Sequence, residues 1–414
     1  MNPLKTHRKQ LLNKLISSFF SKKELKNFNN IVSTELSSFK SFGSQVSAKN
    51  KKQITLDVDN EAGLQSKIEL LLTYARQMLN ARKYTELLNK LGEFMKTLGE
   101  FDLAIMIFES IISYSKNNEE TPDFAIAGAY YNLGELYRRK PNWNISFNYI
   151  DKAKDIYKAY NDISGLSKCY NILGTVYCEL GDFIMAKQNF ESSLKLLAKS
   201  SDLEEIGKTE INLGITNDIT GDHEKAMSYY RNALVKFTKT GDYKRIAEIY
   251  HNLGMLNLGR DNLKQAIHDF DNSINFCMKI NYLPIMGISY LGKANSLVKK
   301  NDLKLAEQFA DKAAVLFNKT KDRLSGADVY KVKGIIFREK KKYDKAEFFF
   351  NTSLRLNIEM GNKLNEAETN VEMGILFKKT GKTKESNKKL NQALEYYKSI
   401  NAKTKISEVA ELAA

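Results

Sequence analysis

One motif recurs every 40 residues along most of this chain, and the repeat restricts the fold more than any other feature. Segments 129–134, 169–174, 209–214 and 249–254 all end in Leu-Gly, and an asparagine precedes the Leu-Gly by one or two positions. The same step of 40 leads on to an alanine and two more glycines, and an earlier glycine is two residues out of step. Eight candidate repeats result, marked by Gly92, Gly134, Gly174, Gly214, Gly254, Ala294, Gly334 and Gly374.

Each repeat carries further markers at fixed distances from this glycine position. Twelve residues later the side chain is small, and sixteen later it is large and apolar, as in Phe190, Tyr230 and Phe270, except at Ala310. A glycine costs about 1 kcal/mol inside a helix, so its recurrence indicates a packing requirement. Small residues allow two antiparallel helices to approach closely, with the large side chain filling the space beside the contact.

Short turns separate the helices, with Gly181-Asp182 and Gly221-Asp222 inside repeats and Gly241-Asp242 between two of them. The chain has 4 prolines and 22 glycines in 414 residues, fewer than an all-β fold with many turns needs. The sequence therefore predicts an all-α fold with two helices, A and B, in each repeat. One repeat cannot bury its apolar face alone, so we expect the repeats to stack into a superhelix with a concave groove.

This pattern resembles the tetratricopeptide repeat. Helix A carries its aromatic–Leu–Gly–aromatic run and helix B its Ala–aromatic–Ala run, as in Tyr130, Leu133, Gly134 and Tyr137 and in Ala226, Tyr230 and Ala233. The period of 40 is similar to the long-helix variant of kinesin light chains, GoLoco-binding polarity adaptors and Rap-type bacterial peptide sensors. Ala294 in place of glycine, and Lys293 and Lys333 in place of leucine, depart from the pattern. The resemblance implies a right-handed α-solenoid of about eight helical hairpins that binds an extended peptide.

Five segments are expected along the chain. Residues 1–40 form an N-terminal helical hairpin, 41–60 a linker, 61–84 a capping helix, 85–406 the eight repeats and 407–414 a C-terminal capping tail. Ser21 and Glu24 form a capping box that opens the second helix of the hairpin. The hairpin either folds onto itself or onto the first repeats, or it acts as an effector module that binds a partner or as a basic amphipathic surface that meets a membrane.

The sequence offers no positive sign of catalysis, so we predict a protein that is not an enzyme and needs no cofactor or metal. His7, His223, His251 and His268 have no His or Cys partner at ligand spacing, and there is no phosphate-binding loop or nucleophile elbow. Three cysteines without a CxxC pair favour a reducing compartment, and the longest apolar stretch is too short to span a bilayer. A cytoplasmic location is expected. A mitochondrial presequence stays an alternative because the first 23 residues lack acidic side chains.

Asparagines recur in helix A and are the first candidates for ligand contacts. Asn132, Asn212 and Asn252 lie two residues before the glycine, and Asn171 lies close to the equivalent place. The resemblance implies that these amides bind the backbone of an extended peptide. The alternative is that they tie helix A to the preceding helix B. We expect His251, beside them, to make a polar contact.

Positions one, four and five residues after the glycine should also border the groove. They supply further candidates for ligand binding, namely Arg138, Asn295, Lys299, Arg338 and Lys378. The early repeats are mixed at these positions and the last is basic. A protein or peptide ligand with an apolar stretch and an acidic end would suit that gradient.

The net charge of +15 is unevenly distributed. Residues 1–60 hold 11 basic and 4 acidic residues, residues 321–405 hold 20 and 11, and residues 61–320 hold 33 and 32. A nearly neutral middle with aromatics at core spacing argues against a groove that follows a nucleic acid. The sequence therefore favours an adaptor or scaffold. One alternative is a peptide-responsive regulator with residues 1–40 as effector; the second is nucleic-acid or anionic-membrane binding through the basic ends.

Overall fold

A computed structural model describes residues 3–44, 61–400 and 402–413, and every regular element in these ranges is an α-helix. The helices are α1 (Pro3–Ser17), α2 (Lys22–Ser44), α3 (Glu61–Met78), α4 (Ala81–Leu98), α5 (Phe101–Ser115), α6 (Asp123–Arg139), α7 (Trp143–Ala159), α8 (Ile163–Glu179), α9 (Phe183–Leu197), α10 (Leu203–Ile219), α11 (His223–Thr240), α12 (Tyr243–Gly259), α13 (Leu263–Ile280), α14 (Leu283–Lys299), α15 (Leu303–Thr320), α16 (Arg323–Glu339), α17 (Tyr343–Glu359), α18 (Lys363–Lys379), α19 (Thr383–Ser399) and α20 (Lys403–Ala413).

The chain divides into two compact units, residues 1–200 and 201–414. In the described part of the first unit, α4–α5, α6–α7 and α8–α9 are helical hairpins; in the second, α10–α11, α12–α13, α14–α15, α16–α17 and α18–α19 are. We number these pairs repeat 1 to repeat 8, with helix A first and helix B second. Within each unit every helix B also contacts the next helix A, and successive A helices touch. The predicted all-α stacking of hairpins is confirmed within each unit, with three hairpins in the described part of the first unit and five in that of the second.

The recurring glycine is the contact point of helix A with helix B. A Cβ added at Gly334 would lie 2.5 Å from Cδ1 and 2.9 Å from Cγ of Phe350, the large residue sixteen positions later. Gly254 has the same relation to Phe270, at 2.7 Å from Cε1. Repeat 6 has alanine at both positions of this pair, and Ala294 and Ala310 are fully buried. In repeat 6 the larger residue at the glycine position is therefore compensated by a smaller residue at the facing position on helix B.

Turns between helices combine a left-handed residue with an aspartate that caps the next helix. Gly221 has φ 85°, and the side chain of the following Asp222 accepts a hydrogen bond from the Lys225 amide. Gly241 and Asp242 repeat this arrangement at the start of α12. The left-handed conformation favours glycine or asparagine, and the carboxylate satisfies an unpaired amide of the first turn. The turn motif therefore sets where each helix begins.

The N-terminal helices pack on the first described helices after the gap. Phe20 and Phe28 each lie 5.6 Å from the ring of Tyr74 in α3, whose hydroxyl donates to the carbonyl of Glu24 over 2.9 Å. The Ser21 amide donates to the Glu24 carboxylate over 2.7 Å, as in a capping box. These contacts join the N-terminal helices to α3, which precedes the first repeat.

Several expected boundaries differ from those of the helices. Helix α2 continues to residue 44, past the start of the expected linker at 41, and residues 45–60 of that linker lie outside the described residues. A single capping helix over 61–84 is wrong, because α3 ends at Met78 and Asn80 caps a new helix by accepting from the Lys83 amide over 3.0 Å. The last helix, α20, begins at Lys403 rather than at 407.

Candidate functional site

A groove in the second unit is the principal cavity of the site, with a volume of about 760 Å³. Its floor is formed by helices A of repeats 6, 7 and 8, which are α14, α16 and α18, and the end of α12 and helix α20 complete it. Successive A helices in this unit are in contact, so the groove is continuous from one repeat to the next. We call it the A-helix groove; its apolar wall consists of Leu258, Val298, Ile335, Val371, Val409 and Leu412.

Helical spacing explains which side chains reach this groove. Positions one, four and five after the glycine position lie on one face of helix A, because 3.6 residues make a turn. In repeat 6 these are Asn295, Val298 and Lys299, and all three line the groove. Ile335, Arg338 and Glu339 do so in repeat 7. Of the sequence-predicted candidates, the structure thus brings Asn295, Lys299 and Arg338 together.

Most charges that line the groove are paired with each other. Arg338 is buried and donates to the Glu372 carboxylate over 2.5 Å and to that of Glu339 over 2.9 Å. Lys331 forms ion pairs with Glu368 and, over 3.3 Å, with Asp328. The pairs Arg338–Glu372 and Lys331–Glu368 join α16 to α18, so they help to fix the spacing of two groove helices.

The pKa values of this network reflect the pairing. Burial by itself would lower the pKa of Lys331, but the carboxylates of Glu368 and Asp328 raise it above the ordinary lysine value. Burial also opposes ionisation of Glu339, yet hydrogen bonds from Arg338 and Lys379 hold its pKa below the ordinary value. Lys331 and Glu339 therefore both carry their charge at neutral pH. A charged ligand would have to compete with partners that are already in place.

The remaining basic candidates are also engaged. Lys299 donates from Nζ to the carbonyl of Leu258 over 3.3 Å and lies 3.4 Å from Asp261. Lys378 donates to the carbonyl of Leu412 in α20 over 2.9 Å. It lines a smaller cavity of about 210 Å³, which shares Leu412 with the A-helix groove. The basic end of the predicted gradient thus lies where α20 meets α18.

The asparagine series does not behave as one set. In the first unit Asn132 is buried; its Oδ1 accepts from Lys96 Nζ over 2.5 Å, and its Nδ2 donates to the carbonyl of Gly128. Lys96 belongs to α4, so this amide ties helix A to the preceding helix A rather than to the preceding helix B. Asn171 is buried in α8.

In the second unit Asn212 and Asn252 are half-buried in α10 and α12. Among the described residues, the Asn252 amide makes no hydrogen bond, and neither does that of Asn295 in the groove. These two amides retain the capacity to bind a peptide backbone.

His251 is part of the packing between repeats 5 and 6. Its Nδ1 lies 3.1 Å from Ser289 Oγ in α14, and its ring lies 5.7 Å from the ring of Phe270. Burial lowers the pKa of His251 to about 4, so the ring is neutral at physiological pH. The predicted polar contact is present, with a serine of the next helix A.

Arg138 lies in the first unit and belongs to a different cavity, of about 450 Å³. It forms an ion pair with Glu179, whose carboxylate also accepts from the Trp143 indole over 3.3 Å. The Arg138 Nε is buried with no hydrogen-bond partner in the described residues. This candidate is therefore a local link between repeats 2 and 3.

Sequence reasoning missed several groove residues. Lys331, Glu368 and Glu372 line the groove from positions that precede the glycine, and Tyr397 and Val409 reach it from α19 and α20. Spacing could have found the first three, because residues four or seven apart share a helix face. Lys331 lies seven residues before Arg338, and Glu368 lies four before Glu372. The two others depend on how the last hairpin packs.

Neither a metal centre nor a membrane span emerges from the described residues. No cluster of three or more His, Cys, Asp or Glu side chains among them has the arrangement to hold a metal ion. None of their helices combines the length and apolar character that crossing a bilayer requires.

Comparison with known proteins agrees with the repeat architecture. A tetratricopeptide repeat family model matches residues 125–199, which span α6 to α9. No curated protein matches the chain by sequence. Residues 125–199 thus carry tetratricopeptide repeats, and the resemblance to the long-helix form predicted from the period of 40 is confirmed.

Solved structures share this fold at low sequence identity. The apo form of the quorum sensor NprR from B. thuringiensis is 15% identical with a TM-score of 0.63, covering 90% of this chain and 99% of that one. The Rap conjugation gene regulator of plasmid pLS20, in complex with the Phr* peptide, is 17% identical with a TM-score of 0.56 over 83% and 91%. Aspartyl phosphate phosphatase F from Bacillus subtilis is 17% identical with a TM-score of 0.54 over 84% and 88%. At these identities the likeness establishes the fold alone.

Proposed function

We propose that this chain is a non-catalytic interaction protein that binds an extended peptide or protein segment in the A-helix groove. The observation that carries the proposal is the groove of about 760 Å³, continuous over three successive A helices and lined by apolar and hydrogen-bonding side chains. Concave sites of this size are typical of ligand binding, and this one is lined by seven apolar or aromatic residues and ten polar or charged ones.

The repeat spacing suits an extended chain. Packed helices lie about 8–10 Å apart, so α14, α16 and α18 span roughly 16–20 Å. An extended peptide covers about 3.3 Å per residue, which makes five or six residues the natural length of the bound segment. Val298 and Ile335 offer apolar contact to its side chains, and the Asn295 amide offers a donor and an acceptor to its backbone.

The charged residues of the groove set the orientation of a bound ligand and add little to its affinity. Arg338 and Lys331 already have carboxylate partners, so an acidic ligand gains little from them. An acidic end fits best near α18, where Lys378 is bound by the carbonyl of Leu412 and Lys379 forms an exposed ion pair. The apolar part of the ligand then lies over α14 and α16.

A regulatory role is the second candidate, in which the groove senses a peptide and the N-terminal hairpin acts on a target. The neighbours named above include a quorum sensor and a regulator in complex with a peptide, and their match extends over 83–90% of this chain. The hairpin packs on α3 through Phe20, Phe28 and Tyr74. Removing residues 1–60 should leave peptide affinity intact in both cases and should abolish the downstream effect only for a regulator.

Selection from a random 12-residue peptide library on the full chain tests the proposal. Selected peptides should bind the Ile335→Arg variant at least tenfold more weakly than the natural chain, because the arginine places a charge in the apolar wall. They should bind the Asn295→Ala variant about threefold more weakly. Val315→Arg is the matched control, since Val315 is exposed on helix B of repeat 6, away from the groove. Peptides that bind the Ile335→Arg variant as tightly as the natural chain would contradict a groove site.

A further inference from the structure

The A–B turns of repeats 5 to 8 form an edge beside the A-helix groove, and the two surfaces meet at Lys299, Arg338 and Glu339, which line the groove. Ion pairs connect the turns of repeats 5, 7 and 8 to the start of the preceding helix B, and Lys299 at the end of α14 pairs with Asp261 in the turn of repeat 5 over 3.4 Å. Arg260 pairs with Glu224 over 2.8 Å, Lys340 pairs with Glu307, and Lys382 pairs with Glu347 over 3.3 Å. These links place consecutive turns side by side along one edge.

Charge rises along this edge from repeat 4 to the last repeats. Five equivalent windows of eight residues, one per turn, begin at 218 in repeat 4. The window 218–225 has one basic and three acidic residues, 258–265 has two and one, and 298–305 has three and one. The window 338–345 has five basic and two acidic residues, and 378–385 has four and one. The last three turns are therefore strongly positive, while the first is negative.

Many lysines of these turns take no part in ion pairs within the described part of the chain. Those that do are Lys340 and Lys382, which pair with Glu307 and Glu347, Lys379, which pairs with Glu339, and Lys299, which pairs with Asp261. Six exposed lysines on the three turns form no ion pair with any described residue. We call them the basic edge: Lys300, Lys304, Lys341, Lys342, Lys345 and Lys384.

An apolar cleft lies in the middle of the basic edge. It has a volume of about 360 Å³ and is lined by Phe337, Phe348 and Phe349, with Asp344 and Lys345 beside them. Phe348 is 65% exposed although it is fully apolar. The Lys345 ammonium lies 5.6 Å from the Phe337 ring, so a cation already covers one face of the cleft. Charge and apolar surface thus meet at one place in repeat 7.

We propose that the basic edge and its phenylalanine cleft dock an acidic protein segment that carries an aromatic or aliphatic side chain. The lysines attract the carboxylates, and the cleft buries the apolar side chain between Phe348 and Phe349. Complementary charge of this kind raises the rate of association, and a buried apolar anchor gives the contact most of its affinity. This partner is independent of the peptide proposed for the A-helix groove.

A protein segment fits better than the other polyanions. In a nucleic acid each successive unit carries a phosphate, and an anionic membrane presents a continuous layer of negative charge. Both would bring negative charge onto the exposed carboxylate of Asp344 in the cleft. A polypeptide avoids this repulsion by placing an uncharged side chain opposite Asp344 and acidic ones opposite the lysines.

Fluorescence anisotropy with the full chain tests the proposal. The probe is a fluorescein-labelled peptide in which Glu-Glu-Phe is repeated four times; a matched peptide carries Ser in place of Phe. Labelled single-stranded DNA of 12 nucleotides and phosphatidylserine vesicles are the competing probes. The variants are Lys341→Glu/Lys342→Glu/Lys345→Glu and Phe348→Ser, and Lys264→Glu on the equivalent turn of repeat 5 is the control.

The Phe peptide should bind more tightly than the Ser peptide, the DNA and the vesicles. Its affinity should fall about tenfold in the triple variant and about fivefold in Phe348→Ser, and less than twofold in Lys264→Glu. Circular dichroism on the variants, whose altered residues are exposed, establishes that they are folded. Equal affinity for the two peptides, unchanged affinity in the triple variant, or tighter binding of DNA or vesicles would each overturn the proposal.

Discussion

Replacing Gly334 by alanine should destabilise the natural chain, yet stabilise a chain in which Phe350 has been cut to alanine. The reason is the contact between the two helices of repeat 7. A Cβ at position 334 would lie 2.5 Å from Cδ1 and 2.9 Å from Cγ of Phe350. Because the base of the ring is among the contacts and Phe350 is fully buried, rotation of the ring cannot relieve the clash.

The magnitudes follow from opposing contributions. Overpacking of a core costs about 1–3 kcal/mol, and alanine gains about 1 kcal/mol over glycine in a helix, so Gly334→Ala alone should destabilise by about 0–2 kcal/mol. Phe350→Ala alone should cost about 3–5 kcal/mol through the cavity it leaves. In that background Gly334→Ala creates no clash with a ring, so it should stabilise by about 1 kcal/mol through helix propensity. The coupling energy is therefore about 1–3 kcal/mol in favour of the double variant.

Urea unfolding of the four proteins in this cycle, followed by circular dichroism, provides the measurement. Stacked repeats can open one at a time, so hydrogen exchange of the α16 and α17 amides should be measured alongside the unfolding midpoint. Ala294→Gly in repeat 6 is a natural control, because the chain already has Ala294 opposite Ala310 there. It should destabilise by about 1 kcal/mol, the helix propensity alone.

The sign of the effect decides the matter. If Gly334→Ala stabilises the natural chain, the close approach of the two helices is not the reason why glycine occupies position 334. If it destabilises the Phe350→Ala variant as much as the natural chain, the glycine is required for a reason other than the ring. Either result would refute the explanation that Ala310 compensates for Ala294 in repeat 6.

Two further predictions concern buried polar groups. Burial holds the pKa of His251 near 4, below its unfolded value of 6.5, so its contribution to stability is present above pH 6.5 and is lost as the pH falls toward 4. Between pH 7.5 and pH 5 the unfolding free energy should therefore fall by about 2 kcal/mol. In urea unfolding measured over this pH range, His251→Asn should remove the dependence and His223→Asn should keep it. Asn357 is fully buried, and its Oδ1 has no hydrogen-bond partner among the residues that the structure describes. Other repeats carry Phe317 or Tyr397 at this place, so Asn357→Leu should raise the unfolding free energy by about 1–2 kcal/mol. A lower urea midpoint for the variant would contradict this reasoning.

The fold could be predicted because its rules are local and repeated. The interval between Gly334 and Phe350 fixes a helix contact, and pairs such as Gly221-Asp222 fix where one helix stops and the next begins. Because these signals recur along the chain, a departure in any one copy has little effect on the prediction. The boundary after Met78 failed because Asn80 caps α4 without a glycine before it, so the turn lacks the usual pair.

The candidate site could be predicted only as far as helix geometry determines it. The spacing after the glycine position places Asn295, Lys299 and Arg338 on equivalent helix faces, and all three line one cavity. It could not show that Arg338 is bound by Glu372, because that pair depends on the distance between two A helices 40 residues apart. The same limitation hid the contact of Asn132 with Lys96.

The repeat divides its positions between two physical requirements. Positions such as Ala346 and Phe350 are buried between helices A and B, where a change of even one methyl group is costly, so the period fixes them tightly. Positions that reach the groove or the turns, such as Asn295 and Lys341, contact solvent and can change with little effect on stability. Differences between repeats at those positions therefore reflect binding more directly than the motif does. The neutral, internally paired groove and the positive edge of repeats 6 to 8 are two such differences, and they point to two separate kinds of contact with partners.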